Sequence, residues 1–244
     1  MFVGAGISAS CGLPDWSELL DSLKDAADAE GERYIDTGDI TNVARAIFGD
    51  RFNSIVADCL YRRGLEISQS ALAIANSGVK CIVCFNFDDI FEEIFQAECI
   101  RHRVVLNGEN FNLNNDHVTM FHPHGYLGRF DSKEEQGISQ IILSLSDYEN
   151  LYQDHYCLTN LIQLSMLMTK TVIFVGMSMT DPNIIRLLRK AREVGVRNWH
   201  YALMRFETKD CTEKQTKRLR ELGVDPVWYK EHSDVPRIIQ QISK

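Results

Sequence analysis

Apolar residues along this chain follow two rhythms that alternate. Nearly continuous apolar runs of strand length stand at Val79-Lys80-Cys81-Ile82-Val83-Cys84-Phe85 and at Thr171-Val172-Ile173-Phe174-Val175-Gly176. Such runs mark parallel strands buried on both faces. Shorter candidates are Phe2-Val3, Arg103 to Leu106, Val118 to Phe121, Ile138 to Leu145, Trp199 to Met204 and Val224 to Tyr229. Between them the spacing changes to threes and fours. Trp16, Leu19, Leu20, Leu23, Ala26 and Ala27 predict a helix from Trp16 to about Ala29, docked on the sheet behind the turn that precedes it.

Val43, Ala44, Ile47 and Phe48, then Ile55, Val56, Cys59 and Leu60, extend the helical pattern without a strand, which predicts a small inserted helical module at about residues 30–75. Further helices are expected over Ile90 to Phe95, Asp147 to Met168, from Pro182 as an N-terminal proline, over Thr212 to Leu222, and over Val235 to Ile242. Strands alternating with helices predict an α/β chain, a doubly wound Rossmann-like parallel sheet, with residues 1–244 as a single domain. Only three residues precede the first glycine, so the central strand is short or the chain was cropped upstream.

Composition narrows the function classes. The chain has 244 residues, 45% hydrophobic and 25% charged, enough for a sizeable core. A net charge of −8 excludes a surface built to hold a nucleic-acid backbone. No apolar run reaches the ~20 residues that cross a bilayer, and no signal peptide is recognised. Seven scattered cysteines fit reduced thiols in a cytoplasmic protein.

Candidate chemistry sits where apolar runs end. Gly4-Ala5-Gly6-Ile7-Ser8 follows the first strand, and its glycines let backbone turn sharply and approach a ligand. Amides after such a turn can seat a pyrophosphate, although Ala9 stands where a dinucleotide fingerprint has its third glycine. Asn86 and Asp88 follow the second strand, either as an Asx turn capping a helix or as ligand groups. His122 and His124, two apart on an extended segment, should share one side of it. On the residues alone they are open as incidental surface histidines or as a metal-binding pair, and a third reading comes only with a family resemblance. Cys81 and Cys84 have zinc-like spacing but lie three apart in a strand, and so face opposite sides. Gly176-Met177-Ser178 opens a late βα turn in which Thr180 or Asp181 could cap the next helix.

Four of these stretches, in this order, resemble the sirtuin family. Gly4-Ala5-Gly6-Ile7-Ser8 with Gly12-Leu13-Pro14-Asp15-Trp16 is similar to its nucleotide-binding loop, Asn86-Phe87-Asp88 to its Gln-Asn-Ile-Asp stretch, His124-Gly125 to its catalytic His-Gly, and Gly176-Met177-Ser178 to its Gly-Thr-Ser. The extended Gly176-Met177-Ser178-Met179-Thr180-Asp181-Pro182-Asn183 resembles the sirtuin-like proteins of bacterial anti-phage defence more than protein deacylases. The resemblance implies Asn86 and His124 as catalytic residues. It implies NAD contacts from Gly4, Ala5, Gly6, Ile7, Ser8, Pro14, Asp15, Trp16, Asp88, Gly176 and Ser178. Phe85 stands where the family has glutamine, and no family role falls on His122.

Deacylases carry a four-cysteine zinc module after the His-Gly strand, whereas the stretch from Arg129 to Gly137 has no cysteine. With NAD-binding parts present and the peptide-holding module absent, the resemblance implies an NAD hydrolase that uses NAD as substrate and binds no metal. It implies an NAD-depleting domain in defence, acting as a homo-oligomer under a regulatory domain or partner protein. A nucleotide sensor without turnover, and an NAD-dependent deacylase or ADP-ribosyl transferase, are the alternatives.

Overall fold

Seven parallel strands form one sheet in the order β3-β4-β2-β1-β5-β6-β7. They are β1 (Phe2–Val3), β2 (Cys81–Cys84), β3 (His102–Leu106), β4 (Val118–His122), β5 (Ile173–Val175), β6 (His200–Arg205) and β7 (Val224–Tyr229). The computed structural model describes residues 1–31, 39–113, 116–132, 135 and 141–242.

Strand parity sorts the two faces. Phe2, Val83, Phe121 and Phe174 point to one face, where they meet α8 (Leu158–Thr169), α9 (Pro182–Glu193) and α10 (Lys209–Glu221). Val3, Ile82, Cys84, Met120 and Val175 point to the other, against α1 (Ala5–Ser10), α5 (Gln69–Ala75), α6 (Ile90–Ala97) and α11 (Asp234–Ile242). Helices on both faces explain why β2 and β5 read as apolar runs rather than as alternating strands. Cys81 packs on the first face and Cys84 on the second, as period-two geometry requires.

A third core lies off the sheet. α2 (Trp16–Ala29) packs on α3 (Ile40–Phe48) and α4 (Phe52–Leu60), and Leu19, Leu23, Phe48, Phe52 and Val56 close on Leu127, Ile141 and Leu143. The expectation that α2 docks on the sheet is therefore corrected: its bounds are as expected, but its apolar stripe is consumed by the module. The module itself ends earlier than residue 75, because α5 packs on α11 and α6 beside the sheet. Residues 32–38 of the expected insert lie outside the described residues. So do residues 138–140 of the strand expected from Ile138; Ile141 to Ser144, its next four residues, join no sheet.

The helical stretch expected from Asp147 is two helices, α7 (Leu145–Gln153) and α8, separated at Asp154 to Cys157. α7 bridges two parts of the molecule. Its start is tied to α3 through Leu145 N to Asp39 Oδ2 at 2.8 Å, Ser146 to Asn42 at 2.6 Å and Asp147 to Arg45 at 2.6 Å. Farther along, Tyr148 donates to the Asp181 carboxylate at the head of α9.

Candidate active site

Successive crossovers run one way from β1 to β2 and the other way from β5 to β6, so β1 and β5 flank the point where strand order reverses. Ligands of open α/β sheets bind outside the carboxyl ends of strands at such a point. The first contact there is between two backbones. Gly4 N donates to Val175 O at 3.0 Å and Gly6 N to Gly176 O at 2.9 Å. A Cβ on Gly176 would lie 2.8 Å from Ile7 N, and its φ of +67° already disfavours any other residue. A Cβ on Gly6 would lie 3.0 Å from Gly176 Cα. These glycines let the β1 and β5 turns close on each other.

That closure changes what the turn offers a phosphate. The amides of Gly4, Gly6 and Ile7 donate inside the chain, to Val175, Gly176 and Gly4 respectively. Ala5 and Gly6 are the exposed residues of the turn. Ser8 is buried, and its hydroxyl points inward: it accepts from Asn86 Nδ2 at 2.6 Å and donates to Asp88 Oδ2 at 2.5 Å.

Asn86 Nδ2 also donates to Gly4 O at 3.1 Å. A carbonyl can only accept, so this contact fixes the orientation of the amide. Both of its N–H groups are spent on Gly4 and Ser8, and what Asn86 offers a ligand is Oδ1, an acceptor. Asp88 is buried, and burial pushes its carboxyl up to about 6 despite the Ser8 hydrogen bond.

His124 sits on the other side of the strand ends. The two histidines do not share one side as expected: β4 ends at His122, and the chain turns through Pro123 and His124 into Gly125 at φ +88°. The His124 ring is packed edge-on to Phe85, Tyr148 and Tyr152, with centroids 5.4, 6.0 and 5.9 Å away. Its Nε2 lies 2.8 Å from the Tyr152 hydroxyl. Burial in this aromatic cage pushes the imidazole down to about 4, against the nearby Asp181 charge and the Phe85 backbone bond. His124 is thus neutral at pH 7, the form a general base must have.

Other expected residues serve the frame. Asp15 caps α2 in a reciprocal capping box with Glu18, Pro14 is buried beside it, and Trp16 is exposed at the first turn. Ser178 is exposed and shares a hydrogen bond with Thr180, while Asp181 caps α9 by accepting from Ile184 N at 2.8 Å. Met179 holds a positive φ of 59° in this turn, a strained conformation of the kind that clusters at functional sites.

Sequence reasoning missed Tyr148 and Tyr152, which reach His124 only because α7 crosses over it. It also gave no role to His122, which is wholly buried against Glu92 and Asn86. A histidine one strand-end away from the assigned pair was the available signal. Among the described residues, no group of His, Cys, Asp and Glu could hold a metal ion, and no helix is long and apolar enough to cross a membrane.

A family model described as a SIR2-like domain matches residues 80–227, a range that holds Asn86, Asp88, His124 and Gly176. The chain is 25% identical over 270 aligned residues to "NAD(+) hydrolase ThsA" of Enterococcus faecium, covering 100% of this chain and 55% of that protein. It is 25% identical over 222 residues to "NAD(+) hydrolase ThsA" of Bacillus cereus (strain MSX-D12), covering 85% of this chain and 43% of that protein. The chain spans about half the length of the curated relatives it matches.

Proposed function

This chain belongs to the SIR2-like domain family, and from that premise we propose that it is an NAD hydrolase, cleaving the bond between nicotinamide and C1′ of its ribose to give nicotinamide and ADP-ribose. The observation that carries the reading is the fixed Asn86 amide, with Oδ1 as its remaining acceptor, just past the end of β2, and a neutral, buried His124 just past the end of its neighbour β4.

The chemistry asks little of a strong base. Nicotinamide leaves with the bonding pair as a neutral molecule, and positive charge develops on the ribose at C1′. Asn86 Oδ1 would accept from a ribose hydroxyl or the attacking water. As oxygen bonds to C1′, the water loses a proton to His124, which passes it to solvent. A weakly basic imidazole suffices, because water joined to an oxocarbenium centre is strongly acidic. Asp88, whose carboxyl burial pushes up to about 6, would hold the nicotinamide carboxamide. The pyrophosphate would face Ala5 and Gly6, and the adenosine half would lie along Gly176 and Ser178. Pro14, Asp15 and Trp16 would border the opening. The proposed chemistry calls for no metal.

Tyr152 occupies His124 Nε2, so α7 must yield for the ribose to reach the imidazole. The wider reading is a cytoplasmic NAD-depleting effector in anti-phage defence, a homo-oligomer held in check by a further domain or partner. It is supported by the cost of an unrestrained NAD hydrolase, which would drain its own cell. The test is nicotinamide release by His124→Ala and Asn86→Ala. Each should lower the rate by on the order of 100-fold in a protein that still folds and binds NAD, although Asn86→Ala, which strips hydrogen bonds from Gly4 O and Ser8, should also cost about 1–3 kcal/mol of stability. A folded His124→Ala protein with the wild-type rate would remove the assignment.

A further inference from the structure

Beneath Asn86 lies an ion pair that the proposed chemistry does not use. His122 is wholly buried, with Nε2 2.8 Å from Glu92 Oε1 and Nδ1 3.2 Å from the main-chain oxygen of Asn86. Both contacts are to oxygens that accept: a carboxylate and a carbonyl. A neutral imidazole has one N–H and could satisfy only one of them, whereas the imidazolium has two donors and satisfies both. The other Glu92 oxygen, Oε2, is buried and has no partner among the described residues, so His122 is the main polar contact of that carboxylate.

Stability alone is a weak reason for such a pair. Replacing a buried ion pair by apolar side chains of similar volume is often neutral or stabilising. What the pair does that leucines could not is grip the Asn86 carbonyl. That carbonyl belongs to the peptide between Asn86 and Phe87, and its plane sets where the Asn86 side chain and, two residues on, the Asp88 carboxylate stand.

We propose that His122 is a positioning residue: held by Glu92, its imidazolium fixes the Asn86 main chain and thereby the Asn86 side chain on which the reaction depends. The inference rests on the role given to Asn86 in the proposed hydrolysis. Burial pushes the His122 ring down, but the Glu92 charge and hydrogen bond together carry it above its ordinary value, which agrees with the geometry. The other titratable groups here are Asp88 ahead of α6, which acts on the ring, Tyr126, whose ring centre is 5.4 Å away, and the Cys84 thiol of β2, whose Sγ also reaches the Asn86 main-chain oxygen at 4.0 Å. Burial raises both the Cys84 thiol and the Tyr126 phenol, so neither adds charge near neutrality.

Wild type, Glu92→Gln and the double variant Glu92→Leu/His122→Leu test the proposal. Nitrogen-15 histidine spectra at pH 7 should show both His122 nitrogens protonated in the wild type and one in Glu92→Gln. A glutamine can donate to Nε2 while Nδ1–H still reaches Asn86, so Glu92→Gln should keep most of the rate. It should also lack the alkaline loss that His122 deprotonation causes in the wild type. The double variant should fold, keep KM for NAD within about twofold, and lose roughly 10–100-fold in kcat. A folded double variant with the wild-type kcat overturns the proposal, as does a singly protonated His122 in the wild type. Should the double variant fail to fold, Glu92→Gln decides, since loss of its rate along with an intact Nδ1 contact overturns the proposal. Should the wild type release no nicotinamide, the functional reading falls. The proposal is then judged by the Asn86 side-chain amide resonances, which must move in the double variant and hold in Glu92→Gln.

Discussion

Replacing Gly176 by alanine places a methyl carbon 2.8 Å from Ile7 N, 3.0 Å from Gly4 O and 3.0 Å from the Ile7 side chain. Two of those atoms are backbone and cannot swing aside. The residue also holds φ at +67°, which costs an alanine roughly 1–2 kcal/mol. Overpacking against backbone adds about 1–3 kcal/mol, for a total of about 2–5 kcal/mol. In a chain of this size that lowers the thermal midpoint by roughly 4–20 °C. Gly12→Ala is the matched control: its φ is +88°, but nothing lies within 4 Å of the added carbon. It should pay the backbone cost alone, about 1–2 kcal/mol. Because the methyl group pries the β1 turn from the β5 turn, Gly176→Ala should also weaken NAD binding, and Gly12→Ala should not. Thermal unfolding and equilibrium binding on the two variants decide it. Equal losses of stability, or undiminished NAD affinity in Gly176→Ala, would refute the claim that close backbone approach builds this site.

Acid stability should divide by residue. The unfolded chain protonates His124 near pH 6.5 but the folded chain only near 4, so this group removes stability as pH falls between those values. Asp88 acts oppositely, since its folded carboxyl takes a proton near pH 6 and its unfolded one near 3.8. His124→Gln should therefore flatten the loss of stability on acidification and Asp88→Asn should steepen it, as urea titrations from pH 7 to 4 can show; equal slopes would contradict both burial arguments. Phe85→Gln replaces the apolar ring beside His124 with a polar amide, and histidine NMR titration should find the imidazole moved upward toward its ordinary value. Asp15→Ala removes the capping box of α2 and should cost about 1 kcal/mol by thermal unfolding.

Much of this was legible in the chain because the signals were local. The Val79 to Phe85 and Thr171 to Gly176 runs read as buried strands, and the bounds of α2 follow from its apolar spacing. What escaped depends on which element meets which. The apolar stripe of α2 says that it must be buried, not that α3 and α4 rather than the sheet will bury it. The period-two rule placed Cys81 and Cys84 on opposite faces correctly. It failed for His122 and His124, because β4 ends between them and the rule applies only while a strand lasts. Ser8 belongs to a turn that reads as a phosphate seat, yet its hydroxyl faces Asn86 and Asp88, residues about eighty positions away. Tyr152 gains its place beside His124 only through α7, whose path is set by contacts with α3 and α9.

The central claim is tested most directly by incubating the purified chain with NAD and separating the products. Nicotinamide and ADP-ribose should form in equal amounts from the wild type and about 100-fold more slowly from His124→Ala. NAD that binds the wild-type chain and is recovered intact, or nicotinamide released with the ADP-ribose carried on a protein acceptor, would contradict the claim.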